Sequence, residues 1–276
     1  MTCGRGVTLG LVVGCILSAG AWPVRSCAQE PLADSQIEPA QPHASPEDTD
    51  TTDIPAPLTH YQGREIAQTM HYLGADWLTR DSRQREEDCT QLLKALHLKK
   101  GQVVCDLGCG NGFYTLPLAE AVSGKGQVYA VDIQPEMLRL LADRAKQTRL
   151  RNIKPIVGTL VDPKLPADTF DLILLVDVYH EFSHPEHMLR AMRRALKPDG
   201  RMVLVEFRLE DPRVPIKLLH KMSKDQILKE IPPNGFRLVE EFDRLPWQHV
   251  MFFQRGEPEN DAAGGEPVPS GPAAAE

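Results

Sequence analysis

The chain has 276 residues, of which 42% are hydrophobic and 25% charged. That length carries one sizeable domain with extensions, or two small ones, and the apolar share excludes a wholly disordered chain. The net charge of −7 sits at the ends: residues 28–59 and 257–276 hold twelve acids and no Lys or Arg, leaving 29 bases against 26 acids in 60–256. So near-neutral a body lacks the concentrated basic face that nucleic-acid binding needs, and no nucleic-acid partner is expected.

Residues 1–27 read as a secretory signal peptide: Arg5, an apolar run from Val7 to Leu17, then the small residues Ala19-Gly20-Ala21. Counted as far as Ala21, the apolar stretch is about 15 residues at most, short of the ~20 that span a bilayer. Membrane attachment is therefore expected only through an uncleaved N-terminus. The expected location is exported, whether periplasmic, envelope-bound or secreted; a misassigned start would return the chain to the cytoplasm. Residues 28–59, with six prolines and seven acids, cannot bury enough surface to offset their ordering entropy and read as a disordered linker. Residues 257–276 read as a disordered tail, which leaves a domain over 60–256. The cysteines show no CxxC pair and no zinc-type spacing, and no disulfide is predicted.

Within the domain, helical and strand patterns alternate. Cys89, Leu92, Leu93 and Leu96 form a helical stripe, and Val103–Leu107 a short apolar strand. A helix through Leu118, Ala121 and Val122 ends at Ser123-Gly124, and Val128–Val131 is the next strand. Pro135 opens a helix striped by Leu138, Leu141, Ala142 and Ala145. Strands follow at Ile153–Val157 and at Phe170–Val176, the latter apolar on both faces and so central. Met188, Ala191, Met192 and Ala195 stripe a helix that stops before the turn signal Lys197-Pro198-Asp199-Gly200. Met202–Phe207 is a strand, Ser223 with Gln226 caps a helix, and Arg237–Phe242 and His249–Gln254 suit a terminal hairpin. The pattern predicts an α/β, Rossmann-like, doubly wound sheet of seven mostly parallel strands with an antiparallel terminal strand, helices on both faces.

The strongest local signal is VVCDLGCGNG, residues 103–112. A strand ends at Asp106, and Gly108, Gly110 and Gly112 precede a helix. Glycines there let the chain turn sharply and let a ligand approach main-chain N–H groups. Asp132 ends the next strand, where a carboxylate can accept from both hydroxyls of a ribose or cap the following helix. The spacing is GxGxG rather than GxGxxG, which argues against a nicotinamide or flavin cofactor.

On DLGCGNG at 106–112, VDIQPEM at 131–137, FDLILLVDVYHEF at 170–182 and LKPDGRMVLVEF at 196–207, in that order, the chain resembles class I S-adenosylmethionine-dependent methyltransferases over most of 89–254. The resemblance implies S-adenosyl-L-methionine as cofactor and methyl transfer to a small-molecule acceptor. It puts the methionine moiety by Asp106, Gly108 and Gly110 within the loop completed by Cys109, Asn111 and Gly112. It puts the ribose on Asp132, and Ile133 and Met137 near the adenine. The family's acid after the third strand is missing: Gly158 is followed by Thr159-Leu160, so either those residues or Asp162 meet the adenine amine.

The loop Asp177 to His180 should face the methyl group. His180 is the candidate general base, its ordinary pKa suiting neutral pH, or it only shapes the pocket; Tyr179 is a second catalytic candidate. The spacing of His180, His184 and His187 suggests a metal, but Pro185 and the expected loop argue against one, and no metal is predicted. Tyr61, Arg64 and Trp77, on an expected N-terminal helical lid, are candidates for the substrate pocket, or they simply pack that helix. Two rivals remain: a protein that holds S-adenosylmethionine without catalysis, and, disfavoured by the glycine spacing, a nicotinamide-dependent oxidoreductase.

Overall fold

The computed structural model describes residues 54–256. The expected signal peptide, most of the expected linker and the tail lie outside the described residues. The last linker positions are held against the domain: His184 Nε2 lies 2.8 Å from the Pro55 carbonyl, and the Leu58 amide donates to Ser183.

The expected lid helix over residues 60–78 does not form. A two-strand hairpin, β1 (His60–Tyr61) and β2 (Arg64–Glu65), turns through Gln62 and Gly63, both at positive φ. A tight 3₁₀ segment, Tyr72–Thr79, follows. Two short helices come next, α1 (Arg83–Glu87) and α2 (Cys89–Ala95), hinged at Asp88, whose side chain accepts from the Gln91 amide. The body then runs β3 (Val103–Leu107), α3 (Thr115–Val122), β4 (Gln127–Asp132), α4 (Pro135–Lys146), β5 (Ile153–Val157) and β6 (Phe170–Val176). It continues with α5 (Pro185–Ala195), β7 (Leu196–Arg208), β8 (Lys221–Met222), α6 (Lys224–Glu230), β9 (Phe236–Phe242) and β10 (Gln248–Arg255).

The strand order is β5-β4-β3-β6-β7-β10-β9, with the two-residue β8 added beside the end of β7. Pairings from β5 through β7 are parallel, and β10 alone runs against its neighbours β7 and β9. This is the predicted architecture. The alternation of β6 explains why it is central. Leu172 and Leu174 pack with Val104, Val203 and Val205 under Leu92, Leu96 and Leu118. Ile173 and Leu175 point to the other face, against Met188, Leu189 and Met192 of α5. Both faces of the strand are thus dry, as the run FDLILLV requires.

Two local expectations change. Lys197–Gly200 does not stand as a separate turn; it is taken into β7 as an irregularity, with Phe170 opposite Leu196 but Leu172 already opposite Arg201. On α4 the buried stripe is Met137, Leu138 and Leu141, while Ala142 faces solvent. The carboxyl ends of β3, β4, β6 and β7 share one edge of the sheet, where open parallel sheets hold ligands.

Candidate functional site

A cavity of about 750 Å³ opens at that edge. Of the predicted residues, Trp77, Gly108, Gly110, Asp132, Ile133, Met137, Thr159, Leu160, Asp177 and His180 line it. The loop after β3 is shaped for close approach. Gly108 has φ +72°, and a Cβ there would lie 2.5 Å from Val178 Cγ2; Gly110 has φ +53°, and a Cβ would lie 2.5 Å from Leu78 Cδ1. The loop is latched to the next strand: Asp132 Oδ2 accepts from the Gly110 amide at 2.9 Å, and Oδ1 from the Gln134 amide at 2.9 Å. Burial raises the Asp132 pKa despite these donors. Each carboxylate oxygen can accept a further hydrogen bond.

Asp106, Cys109, Asn111 and Gly112 do not line the cavity; they hold the loop from behind. Asp106 accepts from the Thr115 hydroxyl at 2.5 Å, and burial pushes its pKa up to about 6. Cys109 is buried, with its thiol pKa pushed well up by burial. Asn111 donates to the Ala75 carbonyl at 3.0 Å, fastening the 3₁₀ segment over the loop, and Gly112 packs on Leu141. Asp162 does not reach the cavity: Oδ1 caps the Lys164 amide, while Thr159 closes a turn on the Asp162 amide and carbonyl.

The other end of the cavity is built around His180. Its Nδ1 lies 2.7 Å from Glu206 Oε2, and its Nε2 lies 3.1 Å from Nδ1 of His220. Its carbonyl accepts from Arg64 Nη1 at 3.0 Å and from the Ala67 amide at 3.2 Å. Burial works against the imidazolium, but the charge and hydrogen bond of Glu206 outweigh it and the His180 pKa is raised. Burial likewise pushes the Glu181 carboxyl up to about 7. Asp177 sits at φ +54°; its Oδ2 accepts from Gln248, while its Oδ1 is buried without a partner. Burial pushes the Asp177 carboxyl pKa well up. Phe182, Phe207, Pro215 and Ile216 supply apolar wall at this end, next to Lys217.

Three predicted site residues belong elsewhere. Tyr179 is fully buried, and its hydroxyl donates to Glu230 at 2.8 Å, so it presents nothing to the cavity. Arg64 is ion-paired with the same Glu230 at 2.7 Å and acts behind His180 rather than beside a ligand. Tyr61 sits by Asn234 in a separate small pocket. His184 is buried toward Pro55 rather than solvated, so it does not join His180 in a metal cluster. Sequence reading missed Glu206, Glu181, His220, and the pair Arg83–Glu87 that lines the cavity at 2.8 Å. Glu206 had a signal, an acid closing the apolar run MVLVEF; His220, forty positions from its partner, had none.

This cradle fits an S-adenosyl group: two side-chain-free positions at positive φ and a carboxylate at the end of the adjoining strand, all on the cavity wall. A family model described as a methyltransferase domain matches residues 98–248. A demethylmenaquinone methyltransferase of Geobacillus sp. is 32% identical over 114 residues, covering 41% of this chain and 49% of that protein. A demethylmenaquinone methyltransferase of Listeria welshimeri is 26% identical over 125 residues, covering 45% and 52%. The chain spans about half the length of the curated relatives it matches. A solved SAM-dependent methyltransferase from Aquifex aeolicus superposes with a TM-score of 0.64 at 24% identity, over 68% of this chain and 100% of that one. With more than half of its length matched by that family model and the expected strand order in place, the chain belongs to the class I S-adenosylmethionine-dependent methyltransferase family.

Proposed function

We propose that this protein transfers a methyl group from S-adenosylmethionine to a small, largely apolar acceptor bound in the same cavity. The observation that carries it is the joining of two ends in one space: the Gly108–Gly110 loop with Asp132 at one, and His180 among apolar walls at the other. The bound cofactor supplies an electrophilic methyl carbon on a sulfonium. Gly108 and Gly110 let the loop pack closely against Val178 and Leu78 at the cavity wall, and Asp132 accepts from the ribose hydroxyls. Asp177 lines the junction of the two ends. On the 3₁₀ segment, Leu78 packs against Gly110, and Trp77, half-exposed, lines the cavity.

Methyl transfer is an in-line displacement, and placement of the nucleophile supplies much of its rate. An acceptor that begins as a hydroxyl or thiol must also lose a proton. In neutral His180, Nδ1–H faces Glu206, so Nε2 carries the lone pair, which can hold a proton or a cation. The relatives named for demethylmenaquinone support an acceptor with a fused ring, which the walls of Phe182, Phe207 and Ile216 would receive.

Calorimetric titration with S-adenosylmethionine, followed by mass spectrometry of extract incubated with the labelled cofactor, tests the reading. Binding should be stoichiometric, be lost in Gly110→Val, and yield a labelled product. Binding without any product would favour a holding protein, and affinity for NADH in its place an oxidoreductase.

A further inference from the structure

The chain brings two imidazole nitrogens and a carboxylate together at the acceptor end of the cavity. His180 and Glu181 come from the turn after β6, and His220 from the turn before β8. His180 Nε2 and His220 Nδ1 are 3.1 Å apart, Glu181 Oε1 lies 4.0 Å from His180 Nε2, and the ligand atoms all lie within 4.8 Å of one another. The two ring nitrogens face each other in a hydrogen bond, so one proton at most lies between them, and a bound ion would take its place. Metal–ligand bonds of about 2.0–2.2 Å put neighbouring donors roughly 2.9–3.4 Å apart at angles between square and tetrahedral. The histidine pair already has that separation. To close the rest, the Glu181 carboxylate would turn away from the Thr69 hydroxyl and the Met70 amide that now hold it.

Two further observations point the same way. His180 Nδ1 is held by Glu206 at 2.7 Å, and Glu206 is fully buried. A carboxylate on the far nitrogen fixes the ring and raises its basicity, as metal-binding histidines require. The nearby guanidiniums are engaged elsewhere, Arg64 by Glu230 and Arg83 by Glu87, and Lys217, on the same wall as His220, is the positive charge a bound ion would meet. Among the described residues, the sole ion-pair partner of Glu181 is His180 itself.

We propose that His180, Glu181 and His220 bind a divalent transition-metal ion whose open positions take a hydroxyl oxygen of the acceptor. Two imidazoles and one carboxylate suit zinc, iron(II), cobalt or manganese, and three protein ligands leave room for a fourth partner. The acceptor role rests on the methyl-transfer reading; the ion site does not. On ligation the hydroxyl gives its proton to water. Its oxygen then bonds to the methyl carbon as the carbon–sulfur bond breaks, the electron pair staying on sulfur and the metal keeping its oxidation state.

The test uses the untagged full chain, stripped with chelator, then titrated with Co²⁺ under visible absorption and with Zn²⁺ in the calorimeter. One equivalent should bind and give the coloured spectrum of a low-coordinate cobalt site. His220→Ala should weaken binding at least about 100-fold, and Glu206→Gln about 10- to 100-fold through the far ring nitrogen. His187→Ala should leave the titration unchanged. Absence of a stoichiometric cobalt spectrum, or one unaltered in His220→Ala, overturns the proposal. S-adenosylmethionine affinity, measured on the same samples, should survive His220→Ala. Its absence from the wild type would instead defeat the methyl-transfer reading and leave the ion result standing.

Discussion

The contact between Gly108 and Val178 sets how close the loop after β3 comes to the loop that carries His180, and it can be measured. In Gly108→Ala the new Cβ meets Val178 Cγ2 at 2.5 Å and Cγ1 at 2.6 Å, on a backbone at φ +72°. The left-handed conformation alone costs an alanine about 1–2 kcal/mol. The overlap adds about 1–3 kcal/mol, because both loops are anchored and neither moves freely. The sum, about 2–5 kcal/mol, should lower the melting temperature by roughly 5–15 °C for a domain of this size. Gly101→Ala is the control, since φ there is +90° and nothing lies within 4 Å of the added carbon. It should lose only the conformational part. Val178→Ala in the Gly108→Ala background should return much of the overlap energy, a coupling of about 1–3 kcal/mol in a double-mutant cycle. Urea unfolding of these three variants, of Val178→Ala alone and of the wild type supplies the numbers. Equal losses at positions 101 and 108, or a coupling near zero, would refute a contact between these two loops.

Other outcomes follow from the same geometry. Asp132→Ala should weaken S-adenosylmethionine binding by on the order of 2–4 kcal/mol, since two charge-assisted bonds are lost; Asp132→Asn should lose less, and negligible, equal losses by calorimetry would leave the residue as a latch for Gly110 and Gln134. Asp106 has a folded pKa of about 6 against 3.8 for the free side chain, so its ionisation opposes folding. Asp106→Asn should therefore match the wild type near pH 4, gain on it as pH rises to 6, and stay ahead above that by on the order of 3 kcal/mol. Urea melts at pH 4.5 and 7.5 with a constant difference would contradict this. His180→Ala and His180→Gln should each lower turnover by about 10²–10⁴-fold with little change in S-adenosylmethionine affinity, and retained turnover in both would take His180 out of the mechanism. We also propose that the chain is exported: N-terminal sequencing of envelope-fraction protein should find a start near Trp22, and an intact Met1 in a cytosolic fraction would overturn it.

The parallel sheet was legible because its strands are apolar on both faces and its helices carry one buried stripe, as FDLILLV and the methionine stripe of α5 show. The glycine loop and Asp132 were legible because a short backbone segment does the work, so spacing alone records it. The acceptor end was not, because it joins distant positions: Glu206 from β7 and His220 from a short turn meet His180 only after folding. The lid was misread for a different reason. Residues 60–78 hold aromatic and apolar positions compatible with a helix, but Gly63 at φ +94° and Gln62 at φ +49° fold the first six into a hairpin. Tyr179, next to His180 in sequence, faces away because successive residues of a tight turn point in different directions.

Leu78, Arg83 and the 3₁₀ cover meet the glycine loop through Asn111 and Gln134: Asn111 donates to Ala75, the Tyr72 amide donates to Gln134, and Gln134 donates back to Met70. The wall from Pro215 to His220 has no part in that web and hangs from the surface stretch between β7 and β8. The molecule is therefore divided into a conserving half and an adaptable half. Changes between positions 215 and 219 can reshape what the cavity admits without disturbing the latches that seat the methyl donor. A library confined to that stretch is the economical route to new acceptors on this scaffold.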